Sequence, residues 1–539
     1  MKATSKAPAA DTPTAPHLPD DVAVLQQMIA ELLDTLHKRD RENEQLRHRL
    51  DQLLRRIYGP RGEKFDPNQP LLFPEMQQAP PTEPVAASAE TAPPPAPTAS
   101  PAKPGHGRRR LPDSLPRQRV VHELPYSERA CPDCGHERSK IREEVSEQLD
   151  YQPASLFVIE HVRWIYACPH CQGQVATAAK PDQPIDKGLP GPGLLAQIIT
   201  SKYGDYLPLH RLERIFGRHG LELPRSTTCA WMAACAELLT PLYERMRAEV
   251  LHSQVVHTDD TVLPVLDKTR EQTRQGRLWV YLGDRDHPYI VFDYTPNHSR
   301  DGPARVLANY HGYLQADAFS GYDGIYLASG GGIVEVACTA HARRKFYDAR
   351  TTDAARSHAA LAWYGKLYAV EHAAKEAIAG REKAAGAPLP GAEADAVRLE
   401  LRQQQAPPLL GGFHAWLIEQ QPQVLPKSSI GLAIAYTLKN WTALCRYTEA
   451  GFLAIDNNAA EREMKKVALG RKNFLFAGSD AGGRTAAVLF SLVSSCQRHE
   501  LDPFAYLRDV LSQLPTLPAE RLPELFLDHW AKAHIPTSA

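Results

Sequence analysis

The sequence predicts a multidomain α/β protein, and three observations carry that prediction. Two CxxC pairs flank a stretch rich in aromatic and β-branched residues, a heptad seam precedes them, and beyond residue 251 apolar runs follow in the order strand, strand, strand, helix, strand, strand. At 539 residues the chain is too long for one compact core. The formal net charge is only -1, so any surface for nucleic acid has to be a local patch. The first residues, MKATSKAPAADTPTAP, lack the apolar centre of a signal peptide, and no apolar run is long enough to span a bilayer, which makes a soluble intracellular protein the expectation.

From Leu25 the apolar positions Leu25, Ile29, Leu32, Leu36, Leu46, Leu50, Leu53 and Ile57 alternate by four and three, with Arg39 and Asn43 in the two intervening seam positions. Residues 20–58 therefore read as a coiled coil. A parallel dimer is the preferred partner state, against one long helix folded back on its own chain. Residues 59–120 read as a disordered linker, because the Pro, Ala and Thr of residues 74–104 cannot bury enough apolar surface to offset ordering entropy. Its basic end sets Lys103, Arg108, Arg109, Arg110, Arg117 and Arg119 against Asp113, a run that suits a phosphate backbone and equally a solvated surface.

Residues 121–185 read as a zinc-binding module. Cys131 and Cys134 stand in CPDCG, and Cys168 and Cys171 in CPHCQG. Tetrahedral zinc takes four such thiolates, two from each knuckle. The stretch between them carries a turn signal at Gln152 to Ser155, a hairpin that returns the second knuckle to the first. An odd total of nine cysteines, five of them scattered through apolar segments, argues against a secreted disulfide framework. Residues 190–250 are helical: LHRLERIFGRHG closes on Gly220, and the next helix has Ser226 or Thr227 as its expected N-cap. The pair resembles a helix-turn-helix, although helical hairpins that merely pack are common.

Residues 251–350 give the first part of a core whose strand and helix order is that of a ribonuclease H-like fold. A helical insertion at 351–445 interrupts it, the second part follows at 446–490, and 491–539 form a helical C-terminal segment. Three acidic segments, HTDDT at Asp259, LQADAFSGYD at Asp317 and DNNAAERE at Glu461, lie at strand ends or helix starts. Gathered together, such carboxylates suit a hard divalent cation and phosphoryl transfer. Asp260 competes with Asp259, since neighbours on a strand face opposite ways. Asn458 and Glu461 also have the spacing of an N-cap and its N3 partner. Asp323 in GYDG reads as a turn residue. Cys338 and His341 form half a metal site with no evident second half, and read as packing residues. Arg343, Arg344, Lys345, Arg462, Lys465, Lys466, Arg471 and Lys472 cluster beside the proposed ligands, as a phosphate-rich substrate requires.

The chain closely resembles the transposases of the bacterial insertion sequence 66 family. The motifs that carry the likeness are LLRRIYGPRGEKFD, the two knuckles, KYGDYLPLHRLERIFGRHG, HTDDT, LQADAFSGYD, CTAHARRKF and DNNAAEREMKKVALGRKNFLFAGSDAGG, in that order. The resemblance implies a DDE transposase acting on the ends of a mobile element and on target double-stranded DNA. It assigns the catalytic triad to Asp259, Asp317 and Glu461, with Mg2+ or Mn2+ at those acids and Zn2+ at the four cysteines. It further implies a cytoplasmic bacterial setting, a homodimer through the coiled coil, and accessory proteins of the same element. The family reads DET where this chain reads DDT, so Asp260 replaces a glutamate.

Overall fold

The computed structural model describes residues 115–534, apart from 153–154, 169, 171–174, 187 and 268, together with a few isolated positions before residue 115. Almost all of the coiled coil over 20–58 and of the 59–120 linker, together with Cys171, therefore lies outside the described residues.

The first layer is a small sheet of β1 (Arg117–His122), β2 (Ser139–Gln152), β3 (Ser155–Ala167) and β4 (Ala176–Thr177). Strands β2 and β3 are antiparallel and close at Gln152 against Ser155, the hairpin expected from the sequence. β1 adds in parallel to β3. It starts at Arg117, inside the stretch expected to be linker, and Arg117 and Arg119 are ion-paired with Glu147 and Glu143. Asp150 joins this sheet to the helices that follow: its Oδ1 accepts the amides of Tyr151 at 2.8 Å and Leu194 at 2.9 Å, at the start of α1 (Pro192–Ile199).

Two further helices complete this region, α2 (Leu209–Gly217) and α3 (Arg225–Val250). Gly220, at φ 74°, makes the turn after α2 as its position predicts. The expected side-chain cap on α3 is not formed. Pro224 occupies the N-cap position, and Thr228 donates its hydroxyl back to the Arg225 carbonyl at 3.1 Å. Trp231, Met232, Leu239, Leu242 and Met246 of α3 are buried, and the Tyr243 hydroxyl donates to the Phe292 carbonyl at 2.9 Å.

The central sheet consists of β5 (Val255–Val265), β6 (Arg274–Leu282), β7 (Ile290–Thr295), β8 (Gly312–Ala316) and β9 (Ile333–Ala337), in the order β7-β6-β5-β8-β9. β5, β6 and β7 form an antiparallel meander, while β8 and β9 add to β5 in parallel. The helix expected through RDGPARVLANYHG shrinks to α4 (Asp301–Val306). Past its end Gly312 takes φ 146°, where a Cβ would lie 2.7 Å from the Gln254 carbonyl oxygen. Asp323, expected in a turn, opens the short α5 (Asp323–Ala328).

After α6 (Thr339–Ala349) the chain enters the expected helical insertion, α7 (Ala354–Ala385), α8 (Gly391–Gln420), α9 (Ser429–Lys439) and α10 (Trp441–Cys445). It then returns to the sheet as α11 (Asn458–Phe474) and α12 (Asp480–Arg498), and ends with α13 (Pro503–Gln513) and α14 (Leu527–His534). Helix α12 covers the edge strand β7. The amides of Phe292 and Ile290 donate to the hydroxyls of Ser491 and Ser495 at 2.8 and 2.9 Å, which caps an otherwise open row of backbone donors. One apolar core joins the α1–α3 region to the sheet and to α11–α14, and a second joins β9 and α6 to the insertion.

The insertion is fastened by one buried cation. Arg402, 1 % exposed, gives both oxygens of Glu371 a 2.7 Å hydrogen bond and also donates to the carbonyls of Tyr447 at 2.7 Å and Ala450 at 2.9 Å. Removing one partner of such a pair strands the other, a loss of about 3–5 kcal/mol. Arg402→Ala is accordingly expected to lower stability to chemical denaturation by that amount. A loss below about 1 kcal/mol would show that the pair is not what holds α7 to α8.

Candidate active site and metal centres

Asp259 lies on β5 and Asp317 directly after the neighbouring β8, so pairing of β5 with β8 sets the two side by side. Asp317 is fixed by local geometry. Its Oδ1 accepts the amide of Phe319 at 3.1 Å, and Ala318 between them is held at φ 61°. Its carbonyl accepts the hydroxyl of Tyr436 at 2.7 Å, so α9 of the insertion reaches the end of β8.

Glu461 is in the first turn of α11. The capping box anticipated between Asn458 and Glu461 is absent. The N-cap is Asn457, and its side chain points elsewhere. Asn457 is fully buried; its Nδ2 donates to the Thr258 carbonyl at 2.7 Å and its Oδ1 lies 3.1 Å from His257 Nδ1. Its amide donates to Cys338 Sγ at 3.1 Å. Gln315 of β8, also fully buried, donates to the carbonyls of Ala454 at 2.6 Å and Asp456 at 3.1 Å. Residues 454–457 are thus stitched to three strands or strand ends, which places the start of α11 over β5.

The outcome is a shared carboxylate field. Burial first, then the charges of Asp317, Asp260 and Glu461, push Asp259 up to about 8, against the pull of the Asp260 amide on its Oδ1 at 2.8 Å. Asp260 has partners of its own: Arg277 Nη1 at 2.7 Å and His298 Nε2 at 3.1 Å. His298 in turn stacks on Phe319 with ring centroids 4.2 Å apart. Of the two adjacent aspartates, Asp260 is thus the one drawn into an ion pair. Cys338 and His341 do gain a neighbour, because one ligand atom each from Cys338, His341 and Glu461 lies within 4.8 Å of the others. His341 Nδ1 is 3.6 Å from Glu461 Oε1.

In the small sheet Cys131, Cys134 and Cys168 have sulfurs within 4.8 Å of one another, and Cys134 and Cys168 are 3.2 Å apart. The first knuckle is a tight turn: the Gly135 amide donates to the Cys131 carbonyl at 2.8 Å, with Gly135 at φ 74°. Cys131 and Cys168 are buried. Three clustered thiols on such a turn fit zinc chemistry.

Comparison with known sequences decides the family. A profile described as "Transposase IS66 family" matches residues 187–485. The chain belongs to the IS66 transposase family. Further matches are "zinc-finger binding domain of transposase IS66" over 128–172, "Transposase C of IS166 homeodomain" over 45–120 and "IS66 C-terminal element" over 491–526. Among similar proteins are two from Sinorhizobium fredii (strain NBRC 101917 / NGR234), both described as uncharacterized. y4hP is 32 % identical over 453 residues, covering 80 % of this chain and 78 % of that protein, and y4jD is 34 % identical over 416 residues, covering 75 % and 78 %. For an IS66-family transposase, phosphoryl transfer and DNA binding follow from the family, and the clustered cysteines are its zinc-finger region. Among the described residues no helix is long and apolar enough to cross a membrane.

The cations of this transposase divide by environment. Arg344, Lys345, Arg462, Lys465 and Lys472 are exposed, with Lys345 4.4 Å over the Tyr436 ring, and Arg343 is half-buried. Lys466 is paired with Glu463 at 2.7 Å and bonds Gln497 at 3.0 Å. Arg471 turns to the sheet, donating to Thr261 Oγ1 at 3.2 Å and the Val262 carbonyl at 2.5 Å. Arg462 and Lys466 also line a cavity of about 560 Å³ with His257, Asp284 and Arg498.

The acid field has a consequence for the metal-free transposase. With Asp259 at about 8 in the folded chain and about 3.9 when unfolded, the folded state holds the extra proton between those values. Stability must then fall as pH rises through that window, by up to about 1.4 kcal/mol per pH unit. Asp259→Asn is expected to flatten the decline, so that urea midpoints at pH 8 exceed those of the native chain. Parallel pH profiles for the two proteins would show that Asp259 is not raised in the folded chain.

Proposed function

We propose that this transposase cleaves the ends of its element and transfers the freed strands into target DNA, using Asp259, Asp317 and Glu461 on a ribonuclease H-like core. The observation that supports this reading is positional: the pairing of β5 with β8 sets Asp259 beside Asp317, and the loop just before Glu461 is bonded to those same two strands through Asn457 and Gln315. The sheet order β7-β6-β5-β8-β9, with Asp259 on β5 and Asp317 directly after the adjacent β8, supports the core assignment.

In this reading the three carboxylates hold a hard divalent cation, magnesium or manganese, which would polarise the reacting phosphodiester and stabilise its developing charge. The chain's own groups orient those ligands. Asn457 and Gln315 hold the loop before Glu461, Tyr436 anchors the Asp317 backbone, and Arg277 with His298 keeps Asp260 out of the ligand set. Water attacks the phosphodiester at the element end and frees a 3′ hydroxyl, and that hydroxyl then attacks a phosphodiester of the target. Both steps are displacements at phosphorus and need no protein nucleophile. Arg343, Arg344, Lys345, Arg462, Lys465 and Lys472 supply the phosphate contacts, with Lys466 and Arg471 supporting α11 through their protein partners. Zinc at Cys131, Cys134, Cys168 and Cys171 shapes the module that reads element ends with the α1–α3 region. The coiled coil over 20–58 pairs two protomers, and accessory proteins of the element assist.

The decisive test is transposition of a marked element in cells that supply its other proteins, at matched protein abundance. Asp259→Asn, Asp317→Asn and Glu461→Gln are expected to fall to background while purified protein still binds element-end DNA. Asp260→Asn is expected to retain movement. Full activity in the Glu461→Gln protein, or loss confined to Asp260→Asn, would sink the assignment. Cys131→Ser is expected to cost the purified chain one equivalent of zinc and to weaken end binding; unchanged zinc content would remove Cys131 from the site.

A further inference from the structure

A third cluster of ligand-type side chains, apart from the cysteines and from Cys338, His341 and Glu461, is not among the acids described above. Helix α3 ends at Val250, and the turn that follows exposes His252 beside Glu249 of the last helical turn. Facing them is the connection between β6 and β7, which carries His287. One ligand atom each from Glu249, His252 and His287 lies within 4.8 Å of the others.

The surroundings are built rather than loose. Asp284 Oδ1 accepts the amides of Asp286 at 3.0 Å and His287 at 2.9 Å and lies 3.1 Å from His287 Nδ1, while Oδ2 accepts the Gln254 amide at 2.7 Å. The backbone of this turn is held as well. Arg498 donates to the carbonyls of Gly283 at 2.7 Å and Asp284 at 3.0 Å, and the Asp284 amide donates to Ser253 Oγ at 3.1 Å. A carboxylate on one ring nitrogen is what fixes the tautomer and orientation of a metal-bound histidine, leaving the other nitrogen to coordinate. Glu249 is steadied too: Arg245 lies 2.9 Å from Oε1, while Oε2 is 3.8 Å from His252 Nδ1.

We propose that Glu249, His252 and His287 form a transition-metal site, zinc by its donor chemistry, which clips the end of α3 to the β6–β7 turn. Two imidazoles and one carboxylate are a ligand set that zinc accepts with a water in fourth place, whereas magnesium and calcium favour oxygen donors. Bonds of about 2.0–2.2 Å to a tetrahedral ion require ligand atoms roughly 3.3 Å apart. His252, with 64 % of its side chain exposed, has the freedom to close that distance. The ion joins the helical region to the central sheet at the end where β6 turns into β7, independently of the acids and of the cysteine cluster.

The test compares the full chain with His252→Ala and His287→Ala, each equilibrated with zinc buffered at micromolar free concentration, freed of excess ion and assayed for metal content and thermal midpoint. The native chain is expected to carry one more equivalent of zinc than either variant, and its midpoint to rise with zinc by more than theirs. Because all three proteins have the same cysteines, the difference reports on this site alone. Because His252 is exposed, its variant decides the question even where His287→Ala folds poorly. Equal zinc content in the native chain and His252→Ala overturns the site; a midpoint rise that zinc gives the native chain over His252→Ala and that the same concentration of magnesium does not give supports its selectivity for zinc.

Discussion

The arrangement of the acids depends on a single buried amide. Asn457 is fully buried, and a buried polar side chain is tolerated only when its donors and acceptors are met. Its partners come from β5, at Thr258 and His257, while its backbone amide reaches Cys338 beyond β9. A shift of the loop by one residue would leave several of these groups unpaired, each at a cost of about 1–3 kcal/mol. That penalty gives the loop one register. The register in turn decides where the first turn of α11, and with it Glu461, meets the sheet.

What this scaffold holds in place is unfavourable by itself. Asp259 is pushed up to about 8 first by burial and then by the charges of Asp317, Asp260 and Glu461, each of which raises the free energy of its charged form. The fold absorbs that repulsion through contacts elsewhere, in the buried bonds of Asn457 and Gln315 and in apolar burial around the sheet. Asp260 shows the alternative for an acid at the same place. Given Arg277 and His298 it is paired, and it adds to the field on Asp259 without facing the other acids. Strand alternation together with the identity of the residues across the sheet thus gives Asp260 its ion-pair partners.

Much of this was legible in the sequence, for reasons that are local. The hairpin between β2 and β3 follows from a β-branched and aromatic run broken at residues 152–155, and Gly220 marks the end of a helix because its φ of 74° is accessible to glycine. Asp317 was legible as an acid at a strand end, whereas Asp259, expected at one as well, lies within β5 because that strand runs on to Val265. Long-range polar matching was not legible. DNNAAERE looks like a helix start with a capping pair, and nothing in the eight letters says that Asn457 will turn to a strand some two hundred residues earlier. The same limit hid the Tyr436 contact with Asp317, the joining of Cys338 and His341 to Glu461, and the inward turn of Arg471. The caps proposed at Ser226 or Thr227 failed because Pro224 already fixes the backbone at the helix start.

The insertion is a working part of this architecture. A helical segment of this length between the second and third acids could have looped out from the core, joined to it only at its ends. Instead the Tyr436 hydroxyl bonds the carbonyl of Asp317, directly before the positive-φ residue Ala318. At its far end Arg402 reads the carbonyls of Tyr447 and Ala450, just ahead of the loop that Asn457 closes. The insertion thus touches the backbone on both sides of the acid cluster, beside the second acid and upstream of the third. A rigid-body shift of α7–α9 would displace Asp317 and the approach to Glu461 together, so the helices that separate these two acids in sequence are the ones that couple them in space.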